Sequence, residues 1–199
     1  SAAATAGLCG TERQQAALDD LIWMEEDRAG FAADPFVIPP VGDEKYYRIL
    51  FEFLPWKENM GRIEGVRLLK NDIFSDKTLV LGSPHHLSYP FVIEHDGVYG
   101  FIPEHAQSRD LSIYLIDEDT RKLSKETIGI DLPLVDSTIF RWEGKYWMFA
   151  THDGDAVNSD LYIYHAPSLT GPWTGHRQNP VKQDCGNARP AGQIIRHEI

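Results

Sequence analysis

The sequence has few cysteines, few basic residues and no long apolar run. Its 199 residues include two cysteines, too few for the disulfide framework of a small secreted domain. No apolar stretch approaches the roughly 20 residues of a membrane-spanning helix, so we expect no membrane insertion. The sequence contains 19 Lys and Arg and 30 Asp and Glu, which gives a formal charge of -11. This charge argues against binding to nucleic acid or to an anionic membrane surface.

Several functional motifs are also absent. The sequence contains no P-loop, GxSxG or GxGxxG pattern. Nothing therefore indicates a nucleotide-binding site or a serine hydrolase, and we expect no cofactor. The Ala-rich start at Ser1 lacks the basic and apolar regions of a signal peptide. This favours a cytoplasmic location over secretion without fixing either.

The histidines and the acidic loop do not predict a metal site. Four histidines, His85, His86, His105 and His152, have no regular ligand spacing and no cysteine partners. The segment Asp153-Gly154-Asp155 lacks the full calcium-loop pattern. We therefore expect no bound metal, and a simple turn in the loop.

What the sequence does contain is a repeat. The stretch Asp136 to His152 has an earlier copy, Tyr89 to His105, 47 positions upstream (136 minus 89). Both copies consist of two apolar or aromatic runs around an acid-Gly pair, which predicts a β-hairpin with a tight turn. A longer-turned version runs from Asp34 to Phe53. Four-stranded units of about 40–50 residues are typical of β-propeller blades.

The repeat predicts the domain organisation. Apolar residues at helical spacing indicate a short N-terminal helix from Thr11 to about Arg28, within a segment 1–30. Residues 31–199 are predicted to form a partial propeller of about three and a half blades, the fourth opening at Ala188. Such a ring is not closed, so we expect further C-terminal blades, a second copy or another chain to complete it.

Several short motifs of the sequence carry a family resemblance. Ala33-Asp34-Pro35-Phe36, Val135-Asp136 and Ser168 to Thr174 resemble the five-bladed propellers of family 43 glycoside hydrolases and their arabinanase, levansucrase and invertase relatives. His86 to Val92 and Ala188 to Gly192 are similar to the N-terminal propeller domain of glucosamine inositolphosphorylceramide transferases. The resemblance implies an all-β, incomplete five-bladed β-propeller.

The resemblance also implies roles for three positions. Asp34 matches the general base of the hydrolases, and Asp136 matches the residue that tunes the acid and orients the sugar. The general acid of the family has no counterpart, because the matching tripeptide is Ala188-Arg189-Pro190. An inverting glycosidase needs one carboxylic acid and one carboxylate across the sugar ring, and alanine supplies neither.

The innermost strands of a propeller begin near its axis, so we expect Asp34, Tyr89, Asp136 and Arg189 to face one central funnel. Carboxylates and a guanidinium can hydrogen-bond to the hydroxyls of a sugar. The alternative is that Arg189 forms an ion pair with Asp34 or Asp136 that only closes the centre of the propeller. The rim is predicted to hold residues at the ends of second strands and near the mouth. These are Glu52, Glu104, Thr151, His86, His105 and His152.

The sequence thus predicts a carbohydrate-recognising propeller that is non-hydrolytic and attached to a glycosyl-transfer system, with a glycan or sugar as partner. One alternative is an inverting family 43 hydrolase of arabinan or xylan type, for which Glu104 is the best substitute acid because burial raises a carboxyl pKa. A second alternative is a protein-interaction propeller with no sugar site. The residue pattern does not decide whether the chain is an enzyme.

Overall fold

The computed structural model describes residues 28–69, 73–117 and 122–194. The predicted N-terminal helix therefore lies outside the described residues, apart from Arg28 at its end. The division into segments 1–30 and 31–199 stays a prediction.

The described chain forms three antiparallel sheets, each built from consecutive strands. Sheet 1 contains β1 (Gly30–Ile38), β2 (Tyr47–Pro55), β3 (Arg62–Leu68) and β4 (Thr78–Leu81). Sheet 2 contains β5 (Ser88–His95), β6 (Val98–Glu104), β7 (Ser112–Ile116) and β8 (Leu123–Thr127), with a single 3-10 turn at Ala106–Ser108 after β6. Sheet 3 contains β9 (Leu134–Trp142), β10 (Lys145–His152), β11 (Asp160–Ala166) and β12 (Thr174–Gly175), and β13 (Lys182–Gln183) also pairs with β11.

Each sheet is one blade of an incomplete propeller, as the repeat predicts. The first strands of successive sheets lie side by side, β1 against β5 and β5 against β9, and the remaining strands follow in order outward. The number of blades in the complete ring stays a prediction.

The acid-Gly pairs form the tight turns that join β5 to β6 and β9 to β10. The backbone φ angles are 50° at Asp96 and 81° at Gly97, and 47° at Glu143 and 76° at Gly144. Two successive positive φ angles define a type I′ turn, whose twist matches that of the flanking strands. The turn chemistry therefore fixes the register of both hairpins.

One large apolar cluster joins the three sheets, and a smaller one lies within sheet 1. The fully buried members of the large cluster include Ile38 from sheet 1, Phe91 and Ile113 from sheet 2, and Met148 from sheet 3. The Trp173 indole N–H donates to the carbonyl oxygens of Ile128 and Leu169, both at 3.1 Å, and thereby ties sheet 3 to sheet 2.

Strand β8 ends at Thr127, because the Ile128 amide donates to the Leu111 carbonyl at 2.9 Å and Gly129 turns the chain at a φ of 77°. One boundary differs from the expectation. Residues 188–194, where a fourth blade was expected to open, form no strand. The rest of that predicted strand lies outside the described residues.

Candidate functional site

The first strand of every sheet carries the same β-bulge. In the pairing of β1 with β2, Ala33 lies opposite Glu52 and Phe36 lies opposite Leu50, which leaves one extra residue in β1. The pairing of β5 with β6, and of β9 with β10, shifts in the same way. A bulge bends the strand and redirects a side chain, and bulges are frequent beside active sites.

The three bulges place three predicted site residues in equivalent positions. Asp34, Tyr89 and Asp136 have φ angles of 51°, 42° and 53°. Such left-handed backbone is uncommon for residues other than glycine and costs on the order of 1–3 kcal/mol at each position. The same strain at the same place in all three blades marks this end of the inner strands as the candidate site.

The second strands contribute the residues opposite the bulges. Glu52 pairs with Ala33, Glu104 with Ser88, and Thr151 with Val135. These three second-strand residues are therefore structurally equivalent, as the sequence predicts. Glu52 and Thr151 are buried and Glu104 is half-buried, so two blades add a carboxyl group to the site and the third adds a hydroxyl.

Arg189 lies against Asp136. Its Nε and Nη2 atoms are 2.7 and 2.6 Å from Asp136 Oδ2, and its Nη1 donates to Asn158 Oδ1 at 3.2 Å. The Asp136 amide also donates to Glu104 Oε2 at 3.4 Å. Of the two pairings considered for Arg189, the structure shows the one with Asp136.

The carboxyl groups of the site are close enough to perturb one another. Burial raises the pKa of Glu52 to about 7, and the negative charges of Asp34 and Asp136 add to the rise. Burial also raises the pKa of Glu104 to about 7, again with a contribution from Asp136. Burial raises the pKa of Asp136 and of the more exposed Asp34, while Arg189 opposes both shifts. Near neutral pH, Glu52 and Glu104 can therefore each donate or accept a hydrogen bond.

His86 stands next to Glu52 in a defined tautomer. Its Nδ1 accepts the Gly61 amide N–H at 2.9 Å, and burial lowers its pKa. The proton of the neutral ring therefore resides on Nε2, which is 3.4 Å from Glu52 Oε1. His86 thus presents a donor toward the Glu52 carboxyl.

Tyr89 occupies the bulge of β5, in the position equivalent to Asp34 and Asp136, but its hydroxyl is already engaged. The hydroxyl is 2.8 Å from Thr138 Oγ1 and accepts the Gly192 amide N–H at 2.7 Å. Tyr89 is 3% exposed, so its hydroxyl joins β5 to β9 and to the segment that carries Arg189.

His105 and His152 are held by neighbours outside the carboxyl cluster. His105 Nε2 is 2.9 Å from Ser83 Oγ. His152 Nε2 is 2.6 Å from the Tyr164 hydroxyl, and its ring stacks on Tyr162 at 3.9 Å between centroids. Within the described part of the chain, neither ring hydrogen-bonds to Asp34, Asp136 or Arg189.

Ala188 is 2% exposed and carries no group that could exchange a proton. Sequence reasoning did not identify Asn158, Thr138, Gly61 or Gly192 as neighbours of the site. Asn158 lies in the loop after His152, and the backbone amides of Gly61 and Gly192 leave no residue-type signal.

Across residues 28–69, 73–117 and 122–194, no three His, Cys, Asp or Glu side chains are grouped so that they could hold a metal ion.

A family model described as "Glucosamine inositolphosphorylceramide transferase 1, N-terminal" matches residues 24–198. The chain belongs to this family. It is 31% identical over 173 residues to glucosamine inositolphosphorylceramide transferase 1 of Oryza sativa subsp. japonica, a match that covers 84% of this chain and 23% of the rice protein. The chain thus spans less than a quarter of the length of that relative.

Solved structures show the fold of this N-terminal domain. A family 43 β-1,3-galactosidase superimposes with a TM-score of 0.66 at 14% identity, over 85% of this chain and 37% of the other. An exo-β-1,3-galactanase from Phanerochaete chrysosporium, solved with galactose, gives a TM-score of 0.58 at 15% identity, over 78% of this chain and 36% of the other. The domain therefore has the fold of the family 43 propellers. Among its described residues, no helix combines the length and apolar character needed to cross a membrane.

Proposed function

We propose that this domain recognises a sugar at the bulged end of its inner strands and does not hydrolyse it. The observation that carries the proposal is the bulge that recurs in the first strand of all three sheets. Asp34 and Asp136 lie in two of these bulges. The same end of the sheets carries Glu52 and Glu104, and Arg189 contacts Asp136. Carboxyl oxygens accept from sugar hydroxyls, the guanidinium donates, and the two protonatable glutamates can do either.

The absence of hydrolysis is inferred from Ala188. This buried methyl group stands where the family resemblance places the general acid, and Arg189 beside it is engaged with Asp136. A carboxylate base without an acid to protonate the leaving oxygen lacks half of the usual machinery. Attachment to a glycosyl-transfer system, in which the domain positions an acceptor glycan, is supported by the transferase that the relative is named for.

The test is sugar binding followed by calorimetry, with hydrolysis measured on the same samples. The panel contains galactose, arabinose, xylose, glucosamine and inositol-containing glycans. We expect binding without turnover, and about tenfold weaker binding for Asp34→Asn, because a charge-assisted hydrogen bond contributes about 1.5–3 kcal/mol. Asp153→Asn, in the exposed loop after His152, is the control and should bind normally.

One observation favours a second candidate, hydrolysis with Glu104 as the acid. The pKa of Glu104 is raised to about 7, which suits a general acid near neutral pH. Turnover that disappears in Glu104→Gln would establish this reading and overturn the first. Absence of both binding and turnover across the panel would instead favour the protein-interaction propeller.

A further inference from the structure

A cavity lies between sheets 1 and 2. It encloses about 360 Å³, and the acidic residues of the bulged site do not line it. Leu50, Val80, Ile116 and Leu123 form its apolar wall, whereas Arg48 and Arg67 supply positive charge. A concave apolar surface with a few polar groups is the usual form of a small-molecule site.

The two arginines have an arrangement that folding alone does not favour. Arg48 on β2 and Arg67 on β3 are directly opposite each other in the antiparallel register, where like charges are destabilising. Both guanidinium carbons also lie over the Tyr46 ring, at 5.8 and 5.4 Å from its centroid. One aromatic ring is thus within cation–π distance of both guanidinium groups.

Only one of the two charges is neutralised within the described residues. Arg48 forms an ion pair with Glu44. Arg67 is exposed, and its guanidinium forms no ion pair with any residue in the described ranges. Because the whole chain has a formal charge of -11, this unpaired charge is not part of a generally basic surface.

The hydroxyl groups of Ser75 and Thr78 already donate within the protein, so Arg67 is the principal hydrogen-bond donor for a ligand in the cavity. Ser75 Oγ accepts the Arg67 amide N–H at 2.9 Å and donates to the Asp76 carbonyl at 3.1 Å. Thr78 Oγ1 donates to the Gly65 carbonyl at 3.3 Å. The protons of both hydroxyls are therefore used within the protein, and a ligand would meet the N–H groups of the guanidinium.

We propose that this cavity binds a small ligand in which a phosphate group is joined to an apolar body. The planar guanidinium fork matches two phosphate oxygens, and a negative charge between Arg48 and Arg67 removes their mutual repulsion. The apolar wall covers the body of the ligand. This site is separate from the proposed sugar site and does not depend on it.

The test compares phenyl phosphate, inorganic phosphate, benzoate and phenol by calorimetry or NMR titration of the chain. We expect phenyl phosphate to bind most tightly and phenol least, with binding that weakens as NaCl is added. No detectable binding of phenyl phosphate at a concentration of about 10 mM would overturn the proposal. Equal binding of benzoate would overturn the assignment of phosphate.

Variants separate binding from a structural role. Arg67→Gln should weaken phenyl phosphate binding about tenfold, while its thermal midpoint should be unchanged or higher because a like-charge pair is removed. Arg177→Gln, at another exposed arginine, should leave binding intact. Undiminished binding by Arg67→Gln, or a markedly lower midpoint for that variant, would contradict the proposal.

Discussion

At the scale of single residues, the candidate site contains two glutamates, Glu52 and Glu104, that burial keeps partly protonated near neutral pH. Glu52 shows this most simply. It is 8% exposed, its pKa is raised to about 7 by burial and by the charges of Asp34 and Asp136, and the histidine beside it is neutral. A carboxyl group of this kind lowers the stability of the fold whenever it is ionised.

This gives a prediction for Glu52→Gln. Between the ordinary pKa of 4.5 and about 7, the folded carboxyl keeps its proton while the unfolded chain has released it. The free energy of unfolding therefore falls as the pH rises through this range, by about 2 kcal/mol once solvent screening is allowed for. Urea unfolding at pH 5 and pH 8 should show a correspondingly smaller fall for Glu52→Gln.

The control for this experiment is Glu126→Gln, at an exposed position of β8. It should keep the pH dependence of the unchanged chain, because the Glu126 side chain is exposed. Equal falls in stability for the unchanged chain and Glu52→Gln would show that the Glu52 carboxyl is not perturbed by burial.

At the scale of strands, the bulge is the device that turns a repeated hairpin into a site. The hairpin turns place glycine at one of their two positive-φ positions, Gly97 or Gly144. The bulges instead keep Asp34, Tyr89 and Asp136 in left-handed backbone, although glycine would remove the strain. Side chains retained at a strained position are consistent with a use for those side chains.

At Asp34, the bulge predicts that the glycine and alanine variants differ in stability but not in sugar binding. Asp34→Gly should unfold at about 1 kcal/mol higher free energy than Asp34→Ala, because alanine keeps the left-handed strain and glycine does not. Both variants should lose sugar binding equally, since both lack the carboxylate. Urea unfolding and calorimetry of the two proteins test this, and a less stable glycine variant would show that the bulge is not strained.

At the scale of the whole molecule, the three sheets share one core and should unfold together. Phe91, at 1% exposure, packs against Phe36 of sheet 1 with ring centroids 5.6 Å apart and belongs to the same buried cluster as Met148 of sheet 3. No sheet is independent of its neighbours in this arrangement.

The corresponding prediction concerns Phe91→Ala. Removing a buried aromatic ring costs about 3–5 kcal/mol, and the loss should appear in all three sheets. Hydrogen exchange should show faster exchange for β2, β6 and β10 alike. Phe31→Ala, at a side chain that is 50% exposed, should change stability by less than about 1 kcal/mol. Faster exchange confined to sheet 2 would contradict a single cooperative unit.

The sequence by itself determined the strands and their repetition. Acid-Gly pairs between apolar runs specify tight hairpins through local backbone preferences, and the 47-residue spacing of Tyr89 and Asp136 (136 minus 89) is enough to predict blades. The same repeat correctly aligned Glu52, Glu104 and Thr151, because register follows from the turn.

Only the tertiary structure decided what those residues contact. The ion pair between Arg189 and Asp136 joins positions 53 residues apart, and the contact from Gly192 to the Tyr89 hydroxyl spans 103. The raised pKa values of Glu52 and Glu104 likewise depend on burial and on charges carried by other strands. Local sequence fixes backbone geometry, whereas long-range contacts and desolvation arise only when the blades are packed around a common axis.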